Sequence, residues 1–344
     1  MRLRRSVPYT PGLQRRRTRG KSFKYFDVQG TAIADDAELA RINELAIPPA
    51  WVDVWICPTA NGHIQAVGTD AAGRRQYLYH PAWRAQQDAI KHERTLQLGL
   101  ALPVMRRTSA QALRRRSLCQ ARVLGAVFRM LDTLAIRIGS EAYAAEHDSY
   151  GLATLKREHV QVHGRAVELG FRGKSGVEQS YRLVDAGLAR VCRQLLTRSD
   201  PSNELFAWSD GERWHDVTSA DINAYIRESS GHDFTAKDFR TWNATVLMAQ
   251  TLALQWHVGD RDEKPASMVR RSYAVVAEYL GNTPAVARQS YVDSRVLDLF
   301  NDGVVLPMSV LPAKEPHLPI HEAVERALLE MLQSPRRPGS TRAS

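Results

Sequence analysis

The sequence predicts an α+β fold, in which a small N-terminal domain with an antiparallel sheet precedes a larger, mainly helical domain. Three observations predict this. Residues 25–92 contain short segments with apolar residues at a period of two, as in half-buried strands. Beyond residue 93 the apolar residues recur mostly at helical spacing. The length of 344 residues is enough for two domains of ordinary size.

The composition excludes several classes of protein. An apolar fraction of 44% is typical of a globular chain, and no run of 18 apolar residues indicates a transmembrane helix. The N-terminus is charged but lacks the apolar segment of a signal peptide. Cys57, Cys119 and Cys192 are far apart, which argues against a disulfide scaffold and a cysteine zinc site. We therefore expect a cytoplasmic protein.

The charge indicates the class of partner. Lys and Arg number 47 against 37 Asp and Glu, a net charge of +10. Nine of the basic residues lie in the first 24, and a second group contains Arg106, Arg107 and residues 114–116. Either cluster alone is equally compatible with a solvated face. Together with the net charge, they favour nucleic acid over a membrane surface as the partner.

The N-terminal elements follow from turn signals. Residues 1–24 are predicted to be a flexible basic arm, and 25–92 a sheet-rich domain. In WVDVWIC, Val52, Val54 and Ile56 alternate with polar and aromatic residues, and Asn61-Gly62 then marks a hairpin. RRQYLYH (74–80) is a further strand, and a helix is expected from near Ala85.

The second domain is predicted to span 93–334, with a disordered tail over 335–344. One helix carries an apolar face that consists of Val123, Val127, Met130, Leu131 and Leu134. A short sheet is expected over 160–184, with Lys174 in its sharpest turn between Gly173 and Gly176. Thr218, Thr235 and Thr283 are each predicted to cap the start of a helix. Gly281 is predicted to end one.

Few residues indicate a cofactor. No GxxxxGK[ST] loop is present, so ATP is not indicated. Asp260 and Asp262 are a weak candidate metal pair, and His159 and His163 lie in a predicted strand, where a spacing of four does not place them on one face. We therefore expect neither ATP nor a metal.

A tyrosine near the C-terminus has a basic neighbourhood. If a helix starts near Pro284, Arg288, Tyr291 and Arg295 share one face, and Val292, Val296 and Leu299 form a separate apolar stripe. A phenol with the ordinary pKa of about 10 is ionised in about one molecule per thousand at neutral pH, so a nucleophilic tyrosine needs cations close by. By spacing alone, an exposed surface tyrosine explains the pattern at least as well.

Several segments, in order, resemble type IB DNA topoisomerases of the short poxvirus and bacterial kind. The resemblance covers about residues 24–312. It rests on the following segments: IPPAW (47–51), GRRQYLY (73–79), IRIGSEAY (136–143), YGLATLKREHV (150–160), FRGKSG (171–176), FTAKDFRTW (234–242) and LGNTPAVARQSY (280–291).

The resemblance implies a catalytic set and a reaction. Matched motif by motif, the set is Arg137, Lys174, Arg240, Asn282 and the nucleophile Tyr291, with Asn282 standing where the poxvirus pattern has His. The implied activity is relaxation of supercoiled DNA through a 3′-phosphotyrosyl intermediate, without ATP or metal. The implied catalytic domain is of the tyrosine recombinase and type IB topoisomerase kind.

The resemblance also implies how the protein binds duplex DNA. A monomer is expected to clamp the duplex between its two domains, in the nucleoid of a bacterial cytoplasm. The candidate DNA contacts are Arg74, Gln76, Tyr77, Tyr79, Lys156, Lys237 and Arg288. Two alternatives stay open: a tyrosine recombinase or integrase, which shares this chemistry, and a non-catalytic, basic DNA-architectural protein.

Overall fold

The computed structural model describes residues 2–18, 22–259, 263–312 and 322–334. It divides into two compact units, residues 1–92 and 93–344. The candidate metal pair Asp260 and Asp262, and the predicted disordered tail over 335–344, lie outside the described residues.

The first unit is built on an antiparallel sheet with the strand order β2-β1-β3-β4-β5. Its strands are β1 (Leu13–Arg17), β2 (Phe23–Phe26), β3 (Val52–Ile56), β4 (Ile64–Thr69) and β5 (Arg75–Tyr79). Helix α1 (Asp36–Glu44) precedes β3, and helix α2 (Pro81–Leu113) follows β5. Helix α2 begins before the expected Ala85, because proline is well suited to the first turn, where its missing N–H needs no partner.

The two faces of this sheet differ in chemistry. On one face Ile42 of α1 packs with Leu13, Val54, Ile56 and Ala66. Strand register and alternation place a polar and aromatic set on the opposite face: Gln14, Arg16, Lys24, Trp55, Val67, Arg75 and Tyr77. We call this second set, together with Tyr79, the basic sheet face. Its residues at β1, β2 and β5 are mostly exposed.

The prediction of a flexible arm over residues 1–24 is wrong for the part that the structure describes as strand. Leu13–Arg17 pairs with both β2 and β3. The guanidinium of Arg15 donates to the carbonyl oxygens of Ile47, Pro48 and Trp51 at 2.7–3.1 Å. Arg15 therefore donates to backbone carbonyls within its own domain, and its charge is not only available to a polyanion.

The alternation predicted for WVDVWIC is broken at Asp53. Asp53 has φ +50°, and the pairing with β4 shifts register between Val52 and Trp55. Val52 is consequently 57% exposed, whereas Val54 and Ile56 are buried. Such a bulge turns one residue away from the face that a strict period of two gives it.

The second unit is mainly helical. Its helices after α2 are α3 (Gln120–Leu134), α4 (Glu141–His147), α5 (Ala186–Leu196), α6 (Ser219–Ser230), α7 (Ala236–Val258), α8 (Pro265–Leu280), α9 (Pro284–Ser290), α10 (Ser294–Asn301) and α11 (Glu322–Gln333). A three-stranded antiparallel sheet consists of β6 (Val160–His163), β7 (Ala166–Arg172) and β8 (Glu178–Val184). Strands β9 (Ala207–Ser209) and β10 (Trp214–Asp216) form a hairpin.

Helix α7 is the centre of the second unit. Its residues from Ala236 to Ala253 are buried except Lys237, and it packs against α8, α10 and α11. The apolar face predicted for α3 is buried in the same core. The predicted helix starts are confirmed, since α6, α7 and α9 begin directly after Thr218, Thr235 and Thr283. No described helix combines the length and the apolar character that crossing a bilayer requires.

A buried ion cluster attaches α11 to the rest of the second unit. Arg106 of α2 donates to both carboxylate oxygens of Glu325, at 2.5 and 2.9 Å, and to Asp132 of α3. Glu325 also accepts from Trp242 Nε1 at 2.8 Å. Together these contacts raise the pKa of Arg106 against the opposing effect of its burial.

Candidate active site

Arg137 lies on a backbone that a second segment holds in place. Helix α3 ends at Leu134, Ala135 follows with φ +48°, and the IRIG segment after it belongs to no helix or strand. The carbonyl of Arg137 accepts from Leu152 N at 2.9 Å. A Cβ on Gly151 would lie only 2.6 Å from that carbonyl oxygen, so the crossing of the two segments requires glycine there. This contact explains why the IRIG and YGL motifs occur together.

Lys174 occupies the turn between β7 and β8, as the sequence predicts. Ser175 has φ +65° and Gly176 φ +73°, and Gly173 N donates to Val177 O at 2.8 Å. The Lys174 side chain is exposed at the end of this tight hairpin. A compact turn places the ammonium beyond the sheet and leaves its four-carbon chain free to move.

Asn282 follows the end of α8. Gly281 has φ +59°, and Asn282 N donates to Ala277 O at 2.8 Å, which ends the helix. The side-chain Oδ1 accepts from Arg137 Nη2 at 2.5 Å. That bond fixes the amide orientation, and the buried Nδ2 donor has no acceptor among the described residues.

Arg240 is only 4% exposed and lies on α7. Its Nη1 donates to Ala135 O at 2.5 Å and its Nη2 to Leu280 O at 2.7 Å. Those carbonyls lie two residues before Arg137 and Asn282, respectively. One guanidinium therefore connects the two backbone segments that carry the other groups, and it also faces Tyr291, with its Cζ 5.2 Å from the ring centroid.

Tyr291 is placed differently from the prediction. Helix α9 ends at Ser290, and Tyr291 has φ −125° at its C-terminus, so Arg288, Tyr291 and Arg295 do not share one helical face. A new helix, α10, begins after the buried Asp293. Arg295 pairs with Asp293, with Nη2 and Oδ2 2.7 Å apart. Its charge is thereby neutralised locally.

The electrostatic surroundings favour ionisation of Tyr291. Burial of the phenol raises its pKa, but the charge and hydrogen bond of Arg240, with the charges of Arg137 and Lys237, outweigh burial and lower the pKa below its ordinary value. The nearby phenol of Tyr181 shifts in the opposite direction. Burial raises the pKa of Tyr181 more than Arg240 and Arg137 lower it.

A single cleft of about 700 Å³ brings most of the predicted catalytic set together. It is lined by Arg137, Lys174, Asn282 and Tyr291. The fifth member, Arg240, is buried and is not among the lining residues. A smaller adjoining cavity of about 280 Å³ is lined by Arg137, Lys174 and Tyr150, among others.

The predicted DNA contacts of the second unit lie at different places. Lys237 is exposed in the first turn of α7, close enough to lower the pKa of Tyr291. Lys156 Nζ lies 4.9 Å from the ring centroid of Tyr150, beside the smaller cavity. Arg288 is exposed on α9 and does not line the cleft.

In the first unit, the candidate contacts form two groups, one bound to Asp70 and one on the basic sheet face. Arg74 and Gln76 both donate to Asp70, at 3.0 and 2.9 Å. Tyr77 and Tyr79 are each 40% exposed on the basic sheet face, with their rings stacked at 6.2 Å. Arg75 shares that face and was not predicted as a contact, although a period of two from Tyr77 and Tyr79 indicates it.

Several residues line the cleft without having been predicted as site residues, Gln179 and Tyr181 among them. Gln179 and Tyr181 lie on β8, whose alternation turns residues 179, 181 and 183 inward. The period of two in VEQSYRLV was a sufficient signal. The prediction missed them because the FRGKSG motif ends at Gly176, before this strand begins.

Comparison with known proteins gives matches over both units. The model of the eukaryotic DNA topoisomerase I catalytic core matches residues 80–300, and that of the bacterial DNA topoisomerase IB N-terminal domain matches residues 22–70. DNA topoisomerase 1B of Acanthamoeba polyphaga mimivirus is 29% identical over 293 residues, which cover 83% of this chain and 86% of the relative.

Poxvirus proteins are similar over a shorter stretch. DNA topoisomerase 1B of Vaccinia virus (strain Copenhagen) is 23% identical over 240 residues, covering 69% of this chain and 72% of the relative. The core model alone spans well over half of the 344 residues. The chain therefore belongs to the type IB DNA topoisomerase family, whose members are isomerases.

Proposed function

We propose that this protein relaxes supercoiled duplex DNA by cutting one strand, allowing rotation and resealing, with neither ATP nor a required metal. The observation that carries the proposal is the cleft lined by Arg137, Lys174, Asn282 and Tyr291. Because the surrounding cations lower the pKa of Tyr291, the cleft contains an activated nucleophile. Family membership supports the same reaction.

In the proposed cleavage step, Tyr291 Oη attacks the phosphorus of one phosphodiester, and its proton passes to solvent water. The P–O5′ bond breaks, which leaves a 3′-phosphotyrosyl ester and a free 5′-hydroxyl. Resealing is the reverse attack by that hydroxyl. The energy of the broken bond is kept in the ester, so no nucleotide hydrolysis is needed to reseal the strand.

The cations supply transition-state stabilisation. Arg137 and Arg240 lie against the nucleophile, and guanidinium groups bind the nonbridging oxygens of a phosphoryl group well. Asn282 Nδ2 adds a neutral donor, which is unused by the described residues. Donors fixed in place before the reaction cost no reorganisation when charge develops.

Lys174 is proposed as the general acid. Its exposed ammonium on a glycine-flanked turn can approach the 5′-oxygen and donate a proton as the P–O5′ bond breaks. General acid help of this kind is typically worth ~10²–10⁴-fold in rate. Because one chain carries all five groups, a monomer suffices for the reaction.

The basic sheet face is proposed as a duplex-binding surface of the first unit. Arg75 lies over the ring of Tyr9, with Cζ 4.2 Å from its centroid, and Arg16 lies over Phe26 at 4.3 Å. These exposed guanidinium groups can pair with phosphates, and the hydroxyl of Tyr77 can donate to them. Arg74 and Gln76 stay secondary candidates, because both already bind Asp70.

The test is relaxation of supercoiled plasmid in EDTA without ATP, with the wild-type protein beside Tyr291→Phe. We expect relaxation by the wild type only, while Tyr291→Phe still binds DNA. A denaturing gel should show a covalent protein–DNA adduct at the 3′ end of the cut strand. Relaxation by Tyr291→Phe would contradict the assignment, and DNA binding without an adduct by the wild type would favour an architectural protein.

A further inference from the structure

Gln179 lies between the two turns that carry Lys174 and Asn282. A Cβ built on Gly173 would be 2.8 Å from Gln179 Cγ, and one built on Gly281 would be 2.9 Å from Gln179 Oε1. The side chain thus touches the backbone of both glycines. Gly173 directly precedes Lys174, and Gly281 directly precedes Asn282. One glutamine therefore joins two turns that lie more than a hundred residues apart in the chain.

Tyr181 fixes the orientation of Gln179. Its hydroxyl donates to Gln179 Oε1 at 2.8 Å, and Gln179 Nε2 donates to Glu178 O at 3.2 Å. The ring of Tyr181 stacks on Phe171 of β7 at 6.0 Å. Both polar ends of the amide are therefore engaged, and the phenol that holds it is itself packed against the sheet.

The contact on the Gly281 side reaches a further catalytic group. Gly281 O accepts from Arg137 Nη2 at 3.3 Å, and Arg137 also holds Asn282 Oδ1. This side is anchored further by Arg240, which binds Leu280 O. The Gly173 side is held by Ser149, whose hydroxyl donates to Gly173 O at 3.1 Å, while Lys174 itself is exposed at the hairpin tip. Gln179 thus connects the anchored Asn282 turn to the turn that carries the exposed Lys174.

We propose that Gln179 and Tyr181 are positioning residues for the general acid, and that they hold the Lys174 hairpin in register with the anchored Asn282 turn. The inference rests on the proposed function of this cleft. Without the pair, the hairpin loses its contact with the Gly281 turn, and the ammonium approaches the 5′-oxygen less often. The nucleophile and the Arg137–Asn282 pair keep their own contacts, so only protonation of the leaving group suffers.

This role predicts a dependence on the leaving group. A 5′-oxygen needs a proton as it departs, whereas a 5′-sulfur leaves as a stable thiolate without one. The experiment measures single-turnover cleavage of two duplexes that differ in one bridging atom, 5′-oxygen or 5′-sulfur, at the scissile phosphate. The variants are Tyr181→Phe, which keeps the ring and removes the hydroxyl, and Gln179→Ala.

We expect both variants to cleave the 5′-oxygen duplex ~10–100-fold more slowly, the range that misplacement of a catalytic group by about 1 Å produces. On the 5′-sulfur duplex they should match the wild type. Lys174→Ala should lose more cleavage rate on the 5′-oxygen duplex than either variant, and should likewise match the wild type on the 5′-sulfur duplex. The matched control is Gln161→Ala, an exposed glutamine on β6 of the same sheet, which should cleave both duplexes at wild-type rates.

Two outcomes would overturn the proposal while the proposed function stands. If a variant cleaves both duplexes equally slowly, its defect lies at the nucleophile or the phosphate and not at the general acid. If both variants cleave both duplexes at wild-type rates, Gln179 and Tyr181 have no positioning role. If Gln179→Ala does not fold, as judged by thermal unfolding, the more conservative Tyr181→Phe decides between these outcomes. If the wild-type protein forms no covalent adduct with either of the two duplexes, the proposed function itself is contradicted.

Discussion

Replacement of Asn282 by Asp tests whether this residue acts as a neutral donor. The substitution keeps the shape of the side chain and replaces the free Nδ2 donor with a carboxylate oxygen. Asn282 N is bonded to Ala277 O, so the backbone should stay in place. The new carboxylate should still accept from Arg137, so the substitution changes only the Nδ2 side, which is proposed to face the phosphate.

The expected magnitude follows from two effects. Loss of one fixed donor to a developing negative charge costs about 10²–10³ in rate, and Asn282→Ala should show this alone. Two negative charges about 4 Å apart repel by about 4 kcal/mol at an effective dielectric constant of about 20. Attraction between the carboxylate and Arg137 offsets part of this. We therefore expect Asn282→Asp to be slower than Asn282→Ala by at least ~10-fold, or ~1.4 kcal/mol.

The assay is single-turnover formation of the covalent adduct on a nicked duplex, with protein in excess and DNA binding measured separately. Asn301→Asp, which adds the same charge at an exposed position on α10, serves as the control and should cleave normally. If Asn282→Asp cleaves as fast as Asn282→Ala, the side chain does not face the phosphate. If Asn282→Ala cleaves like the wild type, the donor is not used.

Two more predictions concern stability and DNA affinity. Glu325→Ala breaks the buried pair with Arg106, which should cost ~3–5 kcal/mol and lower the unfolding midpoint by roughly 6–20 °C in a calorimeter, whereas the exposed Glu322→Ala should leave it unchanged. Arg75→Ala should reduce the slope of log affinity against log salt by about 1 in a fluorescence titration, and Arg74→Ala by less. Equal midpoints for the two glutamate variants, or equal slopes for the two arginine variants, would contradict these assignments.

The sequence predicted the elements whose signals are local. The period of two and the Asn61-Gly62 turn were enough for strands β3 and β4. Thr283 followed by Pro284 fixed the start of α9. The grouping of the five candidate catalytic residues required the family resemblance, because Arg137 and Asn282 are far apart in the chain and no local pattern joins them.

The errors arose where distant contacts override local preference. Strand β1 is rich in arginine and lacks clear alternation, and its pairing with β3 depends on residues some forty positions away. The end of α9 was missed because Val292 and Val296 fit a continuing helical stripe. The overlooked signal was Asp293-Ser294, since the carboxylate of Asp293 caps a new helix by accepting from Arg295 N.

The two carbonyl contacts of Arg240 have a consequence for protein synthesis. Ala135 and Leu280 are separated by most of the second unit, and the guanidinium that joins them emerges from the ribosome between them. A nascent chain that has displayed Arg137 and Lys174 still lacks the bond to Leu280 and the Asn282 turn. The proposed strand-cutting activity would therefore arise late, as one event, and incomplete chains would not nick DNA.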